Sequence, residues 1–244
     1  MRTSNPALND STFDIHALAG EEQMTIQGTV NKSFILIALV FSTALLSWDF
    51  MSNLESGIVY VIASAILALI IGLATSFKPT WSPYTAPAYA LFEGVFLGAI
   101  SGFFDKMYPG VVIQAVLLTC GTFVCLLLAY RSGLIKATEN FKLGIVAATG
   151  GIFLIYMVSF GLSFFGVNVP FIHGNGIFSI IFSLVVVVIA DLNLVLDFDF
   201  IEQGEAKGAP KYMEWYASFG LLVTLVWLYL EILKLLIKLN GRRN

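Results

Sequence analysis

Seven apolar stretches, each near the length that crosses a lipid bilayer, follow one another along this chain with only short polar connections between them. That pattern leaves few choices of fold. A hydrocarbon core about 30 Å thick takes about 20 residues of α-helix to cross. Inside it no water satisfies the backbone N–H and C=O groups, so an open chain must satisfy them within each helix. The stretches are 33–48, 57–76, 84–104, 110–130, 141–165, 175–196 and 216–239. The first is short, but Lys32 and Asp49 bracket it. The expected fold is all-α: a polytopic membrane protein built as a seven-transmembrane-helix bundle, one compact domain over 32–244.

Composition agrees. Apolar residues make up 58% of the chain and charged residues 12%, and the mean hydropathy is +0.86, outside the range of a soluble domain. The net charge of −3 decides little, because a membrane protein is oriented by where its charges sit. No basic stripe suggests a nucleic-acid partner. Cys120 and Cys125 are five apart within one apolar stretch and point in different helical directions, which speaks for packing over a disulfide or metal site. Pro79, Pro83 and Pro87 fall where one helix must stop and the next begin. Trp48, Trp81, Tyr84 and Tyr108 lie at span ends, as an aromatic belt requires.

Residues 1–31 carry Asp10, Asp14, Glu21 and Glu22 among Ser, Asn and Gly, without the charged and apolar regions of a secretory signal. They read as a cytoplasmic mobile tail, with a short amphipathic piece at 24–30 leading into the first span. A cytoplasmic N-terminus puts Arg2, Lys32, Lys78, Arg131, Lys136, Lys142, Lys207 and Lys211 on one side and leaves Lys106 among the opposite loops. The positive-inside rule favours that orientation. Seven crossings then put Lys238, Arg242 and Arg243 outside, against the rule; six crossings and a re-entrant last segment put them inside.

Polar residues within the apolar stretches carry the functional reading. Asp191 ends the run "IFSLVVVVIAD". An ionised side chain at the centre of a span costs roughly 2.5–3.5 kcal/mol on insertion scales, and such residues mark ion or proton paths. Glu231 lies inside "VTLVWLYLEILKLL". One reading pairs it with Lys234 three residues on; the other sets it against Asp191, where two carboxyls share a proton and form a pH-dependent latch. Depth opposes the second reading unless the sixth helix continues past Asp197 or 212–220 lies along the interface. Asp197 and Asp199, with Glu202 and Glu205, read as a solvated acidic loop at the water boundary or as an ion-attracting vestibule. In the third span Gly94, Gly98 and Gly102 recur every fourth residue and form a face for close helix packing. Glu93, beside them, reads equally as a second cation-interacting acid or as a hydrogen-bonding lock between helices.

No catalytic inventory accompanies these acids. His16 and His173 stand apart from any Cys or Glu at metal-ligand spacing. No G-x-S-x-G, H-E-x-x-H or phosphate-binding glycine loop is present. The expectation is a non-enzyme without cofactor or bound metal.

The segments "YALFEGVFLGAIS", "ADLNLVLDFDFIEQG" and "LVWLYLEILKLLIKL", in that order, resemble the Bax inhibitor 1 (transmembrane Bax inhibitor motif) family, in a bacterial member. The resemblance runs from the first span to the C-terminus. It implies a seven-helix bundle with a central last helix, and calcium conduction governed by an acidic pair on helices six and seven. Carried onto this chain, the acid of the "DLN" motif is Asp191, and the acid of the seventh helix is Glu231, where the family more often has aspartate. An acid that some conducting members carry in the second span is absent from 57–76. Two functions follow most directly from the resemblance, and a proton-coupled transporter is a third alternative. The first is a pH-sensitive calcium or other cation leak channel in the bacterial inner (cell) membrane. The second is a non-conducting regulator that binds a membrane protein partner such as a protease.

The charge bias makes a direct prediction. Single cysteines at Ser52 and Asn168 should react with an impermeant maleimide added outside intact cells, and one at Ser132 should not. Outside labelling of position 132 contradicts the orientation.

Overall fold

A computed structural model describes residues 22–50, 54–166, 172, 174 and 176–243. His16 and His173, and the labelling positions 52 and 168, lie outside the described residues. The described chain is helical throughout, apart from turns and one isolated antiparallel bridge between Gln23 and Pro210. Its long helices are α1 (Ile26–Ser47), α2 (Leu54–Phe77), α3 (Ser82–Met107), α4 (Val111–Arg131), α5 (Glu139–Phe164), α6 (Ile177–Ala206) and α7 (Met213–Arg243). All seven are long and apolar enough to cross a membrane. The protein is a multi-pass membrane protein whose outward Phe, Leu, Ile and Val side chains meet lipid.

Most helices extend beyond the apolar stretches, and three of these extensions bear on the site because each carries charged residues into a helix. α1 starts at Ile26, seven residues before the apolar stretch. Thr25 caps it, its hydroxyl accepting from Gly28 N at 3.0 Å, and Lys32 is neutralised by Glu214 within the fold. α6 continues past Leu196 to Ala206, carrying its acidic residues on the helix instead of in a loop. α7 begins at Met213 and runs unbroken to Arg243, 31 residues without the interruption that a re-entrant segment needs. The prolines also divide differently. Pro79 opens a short 3-10 turn and Pro83 sits in the first turn of α3, but Pro87 is inside the helix. There its missing N–H leaves the Pro83 carbonyl without its helical donor.

The chain forms two compact units. One comprises α1, α2 and α3 together with residues 199–223, the end of α6, the connection and the start of α7. The other comprises α4, α5, the part of α6 up to Phe198 and α7 from Thr224 onward.

In the first unit the glycine face of α3 does what its spacing suggests. A methyl group on Gly94, Gly98 or Gly102 would overlap the α1 backbone at Val40, Ala44 and Trp48 respectively. The two helices are in backbone contact along three turns, a separation only glycine allows. Tyr89, one turn earlier on α3, meets Phe219 of α7 edge-on with ring centroids 5.0 Å apart. Met24, Phe200, Ile201, Ala209, Met213, Tyr216 and Ala217 form a buried apolar cluster around the α6–α7 connection. In the second unit Phe123 and Tyr130 of α4 pack on Phe198 of α6, at centroid distances of 5.7 and 5.8 Å.

Gly98→Ala should therefore force α1 off α3 and lower thermal stability by roughly 1–3 kcal/mol, the usual range for overpacking. Gly121→Ala, which adds a methyl into open space, should stay within about 0.5 kcal/mol. Thermal unfolding in detergent compares the two; equal effects would remove the close α1–α3 contact.

Candidate functional site

Where α6 carries its acids decides what they do. Asp191 follows the apolar run 180–190 and lies beside Thr122 of α4, whose hydroxyl donates to the Leu118 carbonyl at 3.0 Å. The Oδ1 of Asp191 is buried without a donor. Two residues on, Asn193 Nδ2 donates to Thr149 Oγ1 of α5 at 2.8 Å and to the Ile189 carbonyl at 2.7 Å. Hydroxyls from both flanking helices thus meet the polar residues of α6, in a unit where most other side chains are hydrocarbon.

Asp197 is not at a water boundary. It is 5% exposed; it lies beside Thr224 of α7, and its Oδ2 is buried with no donor. The cause is helical phase. Val186, Ala190, Leu194 and Ile201, at positions −11, −7, −3 and +4 from it, are all buried, so Asp197 occupies the inward face of a helix that does not end at Leu196. That phase is present in the sequence, where the run of acids after Leu196 masks it. Asp199 is only partly buried and accepts from Gln203 Nε2, whereas Glu202 and Glu205 are exposed. The acidic stretch therefore contains one buried carboxyl followed by a progressively solvated series.

Glu231 is 1% exposed on α7. Lys234 Nζ lies 2.9 Å from its Oε1, the intrahelical ion pair that the spacing offered. Tyr156 of α5 was not singled out from the sequence, yet its hydroxyl lies 3.2 and 3.0 Å from the two Glu231 oxygens and donates to the carboxylate. Lys234 also stands 5.1 Å above the Tyr156 ring. Nothing local in "FLIYMVSF" marks this tyrosine, because its partner is 75 residues away. Asp191 and Glu231 thus engage different partners rather than each other. The depth objection to pairing them is gone, since α6 does continue past Asp197. Further along α7, Lys238 Nζ donates to the Ile172 carbonyl and to Ser183 Oγ, both at 2.7 Å.

In the other unit Glu93 is 8% exposed and lies beside Tyr89, one turn back on the same helix. Tyr89 in turn packs on Phe219, so this carboxyl is tied into packing around α3. Among the described residues no three His, Cys, Asp or Glu side chains are arranged to hold a metal ion.

A family model described as Bax inhibitor 1 like matches residues 5–241 of this chain. No curated protein and no solved structure matches it.

The Tyr156–Glu231–Lys234 cluster should behave as one unit. Tyr156→Phe removes the hydroxyl donor from a buried carboxylate and should cost about 1–2 kcal/mol. Lys234→Met should cost a comparable amount, and the double variant should differ from the sum, as coupled residues do. Additive unfolding energies in this cycle would show that the three groups act independently.

Proposed function

The chain belongs to the Bax inhibitor 1 like family, and we propose that it provides a pH-sensitive leak path for calcium and other cations across a bacterial cell membrane, with its N-terminus in the cytoplasm. One observation carries the proposal. Two carboxyls of the membrane-spanning helix α6, Asp191 and Asp197, each lie beside one threonine, and each keeps a buried oxygen without a donor. Neither has a lysine or arginine ion pair among the described residues.

A carboxyl in that setting is expensive to ionise alone. It has two ways of avoiding the cost: it keeps a proton, or it meets a cation. Exchange between these two states makes cation occupancy depend on pH. A protonated acid offers no charge to an incoming ion. A deprotonated one offers the carboxylate, with Thr122 or Thr224 hydroxyl oxygens close by. Calcium takes 6–8 oxygen ligands, more than these side chains supply, so the ion keeps part of its water and passes on. Glu231, the acid of helix seven, is a fixed charge beside the path and not a partner of Asp191, balanced by Lys234 and oriented by Tyr156. The reading needs no cofactor and no catalytic step.

Flux of calcium into vesicles reconstituted with the full chain, measured at several pH values, tests this. The wild type should conduct, with a rate that changes steeply with pH. Asp197→Asn and Asp191→Asn, which keep hydrogen-bonding capacity and remove the exchangeable proton, should each flatten that response several-fold. Full pH dependence in both variants removes the α6 acids from the mechanism. No flux in the wild type at any pH would favour the partner-binding regulator instead.

A further inference from the structure

The segment before and within the first turns of α1 is fastened to the α6–α7 connection along its whole length. Met24 N donates to the Ala209 carbonyl at 2.7 Å and Lys211 N to the Glu22 carbonyl at 3.0 Å, flanking the Gln23–Pro210 bridge. Met24 is buried in the cluster of Phe200, Ile201, Met213 and Tyr216. Ile26 N donates to Glu205 Oε1 at the end of α6, at 2.9 Å. At the start of α7, Glu214 is fully buried. Its Oε1 accepts from Thr25 N and Thr25 Oγ1, both at 2.9 Å, and lies 3.3 Å from Lys211 Nζ. Its Oε2 is paired with Lys32. Deeper still, Ser218 Oγ is 3.1 Å from Ser33 Oγ and donates to the Thr29 carbonyl at 2.9 Å.

This is more than a helix needs at its N-terminus. Thr25 already caps α1 by itself. Glu205 and Glu214 add two carboxylates at the positive end of the α1 dipole, and they come from the two helices that flank the connection. Gly28 is fitted to the arrangement: a methyl there would overlap the Glu214 carboxylate. The same α6 and α7 carry Asp191, Asp197 and Glu231 further along.

We propose that residues 22–33 are a releasable strap, locked by Glu214, that clips the ends of α6 and α7 together and holds the leak path at rest. Its opening lets the connection move and raises cation flux. The regulatory part rests on the leak reading, whereas the strap itself stands on the contacts above. Charge, not pH, is the lock. The groups facing Glu214 are Lys32, Lys211 and, through Lys211, Glu22. The hydrogen bond and charge of Glu214 raise the pKa of Lys211 above the ordinary lysine range. Its contribution is thus complete below the unfolded lysine pKa of about 10.4 and is lost only as pH rises through the higher folded value. Across the working range of pH Lys211 stays charged.

The test uses the full chain with Cys120 and Cys125 replaced by serine, since both are free and exposed. Gln23 and Pro210 form a pair without mutual backbone hydrogen bonds, for which the Cα separation is about 4.5 Å, so Gln23→Cys with Pro210→Cys should crosslink on oxidation. Glu214→Gln should raise calcium flux at neutral pH at least threefold, oxidation of the Cys pair should cancel that rise, and reduction should restore it. In detergent, Glu214→Gln should speed alkylation of the reduced pair at least tenfold. Gly28→Ala, which disturbs the lock from the other side, provides the same readouts if Glu214→Gln does not fold. Unchanged alkylation in the folded variant overturns the strap. Faster alkylation with flux unchanged, in a protein that conducts, overturns its regulatory role. A wild type without flux at any pH defeats the leak reading, and alkylation alone then decides whether the strap exists.

Discussion

Burying carboxyl groups in helices that cross lipid is the constraint around which this protein is organised. Among the described residues Glu93, Asp197, Glu214 and Glu231 are all buried, and each is accommodated differently. Glu214 has two lysines, a backbone N–H and a hydroxyl. Glu231 has one lysine and one tyrosine hydroxyl. Glu93 has a tyrosine. Asp197, like the partly buried Asp191, has one threonine and an oxygen left without a donor. The desolvation cost of a charge is compensated by countercharges and oriented donors, so this series runs from a fixed charge to an exchangeable one. The fully compensated groups hold helices together. The poorly compensated ones are where a proton or a cation changes the energy most.

That gradation gives α6 and α7 a division of labour along their length. Near their connection, lysine–carboxylate pairs and backbone hydrogen bonds fix residues 22–33 against 205–218. Beyond it the side chains beside the acids are mostly hydroxyls: Thr224, Thr122 and Tyr156. Hydroxyls both donate and accept, so they serve a carboxyl in either protonation state, whereas a lysine favours the charged state alone. A path whose occupancy follows pH needs the first kind of neighbour, and a clasp that survives changes of pH needs the second.

Most of the fold was legible in the sequence because lipid removes the alternatives. All seven apolar stretches are helices, and the glycine spacing of α3 correctly announced a close helix contact. What the sequence hid lies where polarity and helix coincide. Lys32 and the acids after Leu196 read as boundary markers, yet Lys32 is paired inside the fold with a residue 182 positions away, and Asp197 continues the buried phase of α6. The ion pair of Glu231 with Lys234 was visible at three-residue spacing, and its tyrosine was not. Long-range partners of single polar residues leave no local pattern, which is why Tyr156, Thr224 and Glu214 emerge only from the structure.

In the proposed leak mechanism an α6 carboxyl exchanges its proton in step with conduction. Infrared difference spectra of the reconstituted protein, recorded across the pH range of the flux measurements, test it directly. The account expects a carboxylic-acid C=O band whose titration coincides with the change in calcium flux, and which is diminished in Asp197→Asn or Asp191→Asn. A flux that changes with pH while no α6 carboxyl band titrates would contradict it.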